Sequence, residues 1–186
     1  FTAARDGLPE SIYWQMADGS GQPERLSVGS RPMNPDSFSP DGKNLTFTTP
    51  LAAPFDLGVL TLEGQRQERM LFESKLVSDI NGIVSGDGRW LAYQSNESGR
   101  DEIYLAPFPA VTASKHHVST QGGTRPLWWH DGRELFYYVA PDTIMSVPVT
   151  PGPNLSLGKP SVVVKGPYAV AANTGRHYDV SPDGKR

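Results

Sequence analysis

The 186-residue chain contains no cysteine, which excludes disulfides and thiolate-ligated zinc. That absence suits a cytoplasmic or an extracytoplasmic site equally. No apolar run approaches the ~18 residues that a membrane-spanning helix needs. Neither charge sign dominates: 17 Lys and Arg stand against 20 Asp and Glu, for a net charge of −3. Nonspecific nucleic-acid binding wants a basic face, and this balance argues against one. No stretch sustains apolar spacing at 3.6 residues, so no helix is expected. The serines lie in no Gly-x-Ser-x-Gly elbow, and there is no Gly-x-x-x-x-Gly-Lys-Ser/Thr phosphate loop. Acyl transfer and nucleotide hydrolysis therefore have no motif to rest on, and neither a catalytic residue nor a cofactor is expected.

What the chain does have is one phrase written four times. It reads Ser39-Pro40-Asp41-Gly42-Lys43, Ser85-Gly86-Asp87-Gly88-Arg89, Trp129-His130-Asp131-Gly132-Arg133 and Ser181-Pro182-Asp183-Gly184-Lys185. Successive Asp-Gly pairs lie 46, 44 and 52 residues apart. A period in this range signals stacked supersecondary units. Asp-Gly supplies tight-turn geometry, since Gly accepts positive φ and Asp bonds its own local backbone.

The surroundings repeat as well. Apolar runs follow the turns at Leu45–Thr48, Trp90–Tyr93 and Leu135–Tyr138. Second runs come at Leu57–Leu60, Ile103–Ala106 and Ile144–Val147, and third ones at Arg69–Phe72, His117–Ser119 and Val162–Val164. The residues ahead of each turn make a fourth: Asp36–Phe38, Ile80–Val84, Pro126–Trp129 and His177–Val180. Four short strands per unit of about 40 to 45 residues make a β-propeller blade. The 19 Gly and 17 Pro match the many turns this requires.

The phrase Ser-Pro-Asp-Gly-Lys followed by an aromatic-rich strand resembles the WD40-like (PD40) repeats of TolB-type propellers. The likeness runs through nearly the whole chain and is closest at Pro126–Tyr138 and His177–Arg186. It implies the last blades of propellers like those of bacterial serine/threonine kinases and periplasmic TolB-like proteins. It also inclines the expected location towards periplasmic or extracellular. The fold class expected is all-β, a propeller of four-stranded antiparallel blades with about four blade equivalents.

Residues 1–186 read as one propeller domain or propeller fragment. The units are about 1–35, 36–80, 81–125 and 126–175, with 176–186 starting or closing a further blade. Phe1–Gly7 looks like the tail of the strand that follows an Asp-Gly-Lys turn, and Arg186 stops where the second strand of a blade would begin. Either the two ends complete one blade and close a ring, or the chain is part of a larger ring of six or more blades. The larger ring is the favoured expectation. Three Pro/Gly-rich stretches read as punctuation within blades: Ala17–Gly21 as a hairpin, Ala106–Ala110 as a break, and Pro148–Asn154 as a long loop.

Candidate sites can be weighed against plainer roles. Asp41, Gly42, Asp87, Gly88, Asp131, Gly132, Asp183 and Gly184 are expected to be structural repeat turns rather than a cation rim. His116 and His117 are adjacent, so in a strand they point to opposite faces and cannot share a metal. His130 falls in a turn, and His177 begins an inner strand that could face a channel. Glu97, Asp101 and Glu102 beside Arg100 read as a solvated hairpin tip rather than a glycosidase pair. The aromatics Trp14, Trp90, Trp128, Trp129 and Tyr138 divide between core and surface. Those reaching the surface would anchor a protein or peptide partner.

Two functions are therefore expected from the sequence. One is a noncatalytic binding module or scaffold for a protein or peptide, as the sensor part of a larger protein. The other is the propeller of an enzyme: the gating domain of a prolyl-oligopeptidase-like peptidase, or a lyase holding a metal in its channel. Self-association through open blade edges is a further expectation, because an unpaired strand edge is a pairing template.

Overall fold

In the computed structural model the described residues are 1–181, apart from 6, 8, 50–52, 151, 153–154 and 168–175. Four antiparallel sheets follow one another along the chain. The first has β1 (Thr2–Ala3), β2 (Ser11–Trp14) and β3 (Glu24–Arg25). The second has β4 (Asn34–Phe38), β5 (Asn44–Thr48), β6 (Leu57–Thr61) and β7 (Gln67–Phe72). The third has β8 (Asp79–Val84), β9 (Trp90–Ser95), β10 (Glu102–Pro107) and β11 (His116–His117). The fourth runs β12 (Thr124–Trp128), β13 (Glu134–Val139) and β14 (Thr143–Thr150), with β15 (Ser156–Leu157) and β16 (Ser161–Lys165) both paired to β14. Apart from β16, which returns to β14, the strands within each sheet hydrogen-bond in chain order, as a meander of hairpins does.

The sheets stack as blades because their middle strands are apolar on both faces. In β9, Leu91 and Tyr93 join one cluster with Leu57, Val59 and Leu71 of the second blade. The alternate residues Trp90 and Ala92 join another with Leu135, Tyr137 and Val147 of the fourth. β10 divides the same way, Tyr104 and Ala106 against Ile103 and Leu105. Period-two alternation thus sends successive side chains to opposite neighbours. A third cluster, with Ile12, Met33, Leu45, Phe47 and Leu60, joins the first blade to the second. Full burial of each such side chain is worth roughly 1.5–3 kcal/mol. Gly82 lets the third blade come this close to the second, since a Cβ there would press into the Leu57 side chain.

Two sequence expectations are corrected here. Pro148, Val149 and Thr150 are not loop: they extend β14, where Val149 and Thr150 pair with Leu157 and Ser156. Likewise Ala106 and Pro107 finish β10, pairing with Leu91 and Trp90. Beyond Pro148, where β13 ends opposite, β15 takes over as the partner, whereas the β9–β10 ladder ends on Pro107 itself. Among the described residues no helix is long and apolar enough to cross a membrane.

Candidate functional site

In the second, third and fourth blades the first strand ends in its Asp-Gly turn, so these turns gather on one face of the stack. The turn chemistry is the same in the second and third blades. Ser39 Oγ donates to Asp41 Oδ1 at 2.6 Å and accepts the Asn44 N–H at 2.9 Å. Asp41 Oδ1 also accepts the Lys43 N–H at 3.0 Å, and the Gly42 N–H closes on the Ser39 carbonyl at 2.9 Å. In the third blade Ser85 Oγ meets Asp87 Oδ1 at 2.6 Å and accepts the Trp90 N–H at 3.0 Å. Gly42, Gly88 and Gly132 all take φ near +70°, a region only glycine enters freely. The donors hold Asp41 below the usual carboxylate range, the Ser39 hydroxyl contributing most. Burial pushes the Asp87 carboxyl up, but Ser85 and Arg89 outweigh it and hold Asp87 low as well.

The fourth blade departs from this pattern. Trp129 stands in the serine slot and His130 in the slot of Pro40 and Gly86. The turn itself survives: Gly132 N–H bonds the Trp129 carbonyl at 2.8 Å, and Arg133 N–H bonds Asp131 Oδ1 at 2.8 Å. The hydroxyl bridge of the second and third blades is replaced by rings. Trp129 lies 4.5 Å from His130 and edge-on to Phe136 at 6.4 Å. His130 also presses its carbonyl into the third blade, where a Cβ on Gly86 would overlap it. Between the second and third turns the face stays open. A groove of about 280 Å³ is lined there by Pro40, Asp41, Asn44, Asp87, Phe108 and Pro109.

A second polar set lies at the other end of the first strands. Each of β4, β8 and β12 carries a bulge, between Pro35 and Ser37, Ile80 and Ile83, and Thr124 and Leu127. Asn81 N–H donates to Thr48 Oγ1 of the preceding blade at 3.2 Å. One blade on, Arg125 N–H donates to Gln94 Oε1 at 3.3 Å. Asn81 and Arg125 both have φ near +55°, an uncommon conformation for residues with a side chain. Thr46 Oγ1 donates to the Gly82 carbonyl at 2.7 Å, and the Tyr178 hydroxyl donates to the Arg125 carbonyl. These bonds stitch neighbouring blades together.

The aromatics do not all do what the sequence suggested. Trp90, Trp128 and Tyr138 are only 8%, 7% and 6% exposed. They are corrected from docking to packing: Trp90 and Trp128 lie in the core between the third and fourth blades, and Trp128 Nε1 donates to the Ile83 carbonyl at 3.1 Å. The Tyr138 hydroxyl is spent on the Pro141 carbonyl. Trp14 is 47% exposed, with Nε1 bonded to Glu24 Oε2 at 2.8 Å, and Trp129 is half-buried. Asp183 and Gly184 lie outside the described residues. His116 sits edge-on to Trp90 while His117 stacks on Tyr104 at 4.6 Å, so the two rings serve opposite faces of the blade. His177 is exposed. Among the described residues no three His, Cys, Asp or Glu side chains gather as metal ligands would.

Glu102 also corrects the sequence reading. Its side chain is 1% exposed and pairs with Arg100 at 2.7 Å. It accepts the Gly122 N–H at 3.0 Å and the Ser119 hydroxyl. Burial alone would push its carboxyl up; the Ser119, Gly122 and Arg100 donors together bring it below its ordinary range. No local signal separates it from Glu97 and Asp101, because its partners are 17 and 20 residues away.

The whole arrangement has counterparts among solved structures. An Agrobacterium tumefaciens protein assigned as TolB superposes over 86% of this chain with a TM-score of 0.67 and 20% identity. The fold is a TolB-like β-propeller. TolB from Acinetobacter baumannii matches 88% of the chain with a TM-score of 0.61 and 16% identity. Prolyl oligopeptidase B from Galerina marginata matches 85% with a TM-score of 0.57 and 14% identity. The chain spans 58% of the first TolB structure, 40% of the second and 24% of the peptidase. No protein-family model matches the sequence, and no curated protein matches it. TolB-like propellers and enzymes thus share this blade architecture, which by itself assigns neither role.

Proposed function

We propose that this TolB-like segment is a noncatalytic binding module that takes a protein or peptide on its turn face. The carrying observation is Trp129. The second and third blades use a serine here to satisfy backbone groups, and the fourth gives up that bond for a half-exposed indole beside His130. Aromatic side chains at a rim are the usual anchors of protein partners. The neighbouring groove, with Pro40, Phe108 and Pro109 beside two ionised aspartates, offers a place for an adjoining side chain of the same ligand. Selection of displayed peptides on the protein tests the reading. Binders should lose affinity at least tenfold with Trp129→Ala and keep it with Trp14→Ala. Peptides indifferent to Trp129 would rule the turn face out.

The likeness to prolyl oligopeptidase B supports a second reading, the gating propeller of a peptidase. That role needs a catalytic domain beyond these residues. It would show as peptidase activity in a polypeptide carrying this segment that changes when the segment is deleted.

A further inference from the structure

The Asp-Gly turns are unevenly packed. Between the third and fourth blades main chain meets main chain: Gly86 has no Cβ, and the His130 carbonyl takes the space that one would fill. In the second blade the slot of Gly86 holds Pro40. Its ring bars the third turn from settling in the same way, and the groove of about 280 Å³ opens there instead.

The chemistry of this groove is one-sided. Pro40 and Pro109 line it and carry no N–H. The N–H groups of Gly42 and Gly88 are bonded to the Ser39 and Ser85 carbonyls, and those of Lys43 and Arg89 to Asp41 and Asp87. Asp41 Oδ1 takes the Ser39 and Lys43 donors, while its Oδ2 has no donor among the described residues. The same two donors hold that carboxyl low, so it is charged at neutral pH. The cations nearby are engaged elsewhere. Lys43 Nζ lies 3.0 Å from Glu63, Arg89 closes on Asp87 Oδ2 at 2.7 Å, and Arg69 donates to the Pro109 carbonyl at 3.3 Å. Among the described residues no ion pair includes Asp41. The groove thus sets a carboxylate without a counter-ion beside the apolar walls of Pro40, Phe108 and Pro109. It repels an anion, and it suits a cation on an apolar stem. It also reaches the aromatic anchor, because Gly86 both lines it and touches His130, whose ring lies 4.5 Å from Trp129.

We infer that the groove between the second and third turns selects a basic peptide, taking one arginine or lysine side chain with its stem along the proline walls and its charged head on Asp41 Oδ2. The inference rests on the turn-face reading for the rest of the peptide, whereas the groove itself can be tested alone. An exposed ion pair adds little affinity. The walls therefore hold the stem, and Asp41 decides the sign of the charge.

Amide NMR of the protein, titrated at matched ionic strength with N-acetyl-arginine amide and with its neutral isostere N-acetyl-citrulline amide, reads the groove. The signals of Asn44, Gly86 and Gly88 should shift with arginine at a midpoint about threefold or more below that for citrulline. Asp41→Asn keeps a side-chain oxygen for the turn and should erase the difference. Equal midpoints in the wild type, or a difference that survives Asp41→Asn, would overturn the inference. Should Asp41→Asn not fold, the comparison on the wild type decides. Displayed peptides separate this inference from the turn-face reading. Those that need Trp129 should carry arginine or lysine at a fixed spacing from the residue that needs it. Trp129-dependent peptides without a basic residue would strike the groove and leave the turn face standing. Arginine held at the groove with no peptide that needs Trp129 would keep the groove and strike the anchor.

Discussion

The backbone N–H of Arg125 donates to the side-chain carbonyl of Gln94 at 3.3 Å, across the boundary between the third and fourth blades. Both residues keep the spacing of the repeat. Gln94 stands seven residues after Asp87, as Thr48 stands seven after Asp41. Arg125 stands six before Asp131, as Asn81 stands six before Asp87. The second blade therefore meets the third, and the third the fourth, through one side-chain acceptor and one bulged amide. The acceptor changes from hydroxyl to amide oxygen while the bond persists.

Gln94 also accepts from the Asn81 side chain at 3.0 Å and is buried. Gln94→Ala removes the acceptor of two donors, and one of them is a buried amide. A loss of about 1–3 kcal/mol is expected in urea unfolding, with the joint between the third and fourth blades the first to lose exchange protection.

Gly86→Ala tests the packing of turn on turn. The added methyl would overlap the His130 carbonyl, which is backbone and can yield only if the fourth blade shifts. The cost should be about 1–3 kcal/mol, read as a lower thermal midpoint. Open space surrounds the Cβ position of Gly42, so Gly42→Ala carries only the strain of positive φ, about 1–2 kcal/mol. Trimming His130 to Ala should not rescue Gly86→Ala, because the overlap is with main chain.

Trp129→Ser restores the serine of the sister turns. Binding of a selected peptide should fall while stability holds or rises, by up to about 1 kcal/mol, from the regained hydroxyl bond. Parallel measurement of affinity and of the urea midpoint checks both halves. A variant that loses stability along with binding would mark Trp129 as a packing residue.

Glu102 should leave its mark on the acid side of the stability profile. Its carboxyl is held low in the folded protein, so its contribution is present above the unfolded value of about 4.3 and is lost as pH falls through the folded one. Glu102→Gln should be less stable at pH 7 and should show a flatter acid limb of unfolding. An unchanged acid limb would show that Glu102 does not set it.

The β16 strand is exposed along its whole length, with Val162, Val163 and Val164 among its side chains, and it pairs only with β14 among the described residues. Association of the protein through this edge should appear in light scattering as a mass that grows with concentration. Val163→Lys should return it towards the monomer, since charge on an edge strand opposes pairing. A mass that ignores the substitution would place the contact elsewhere.

The Asp-Gly phrase and the two-residue alternation were enough to read the blades from the sequence. Both are local: Ser39, Asp41, Lys43 and Asn44 satisfy one another within five residues. The same locality explains the division of His116 from His117 onto two faces. Trp90, Trp128 and Tyr138 could not be sorted from Trp14 in this way. Whether a ring is covered depends on the neighbouring blade, and that neighbour is some 40 residues away in the chain. Glu102 looked solvated beside Asp101 for the same reason, its partners Ser119 and Gly122 arriving from beyond the next hairpin. Repeat, turn and strand thus follow from bonds between near neighbours in the chain. The joints between blades and the burial of Glu102 come only from stacking, because each needs a donor or a covering surface supplied by another part of the chain.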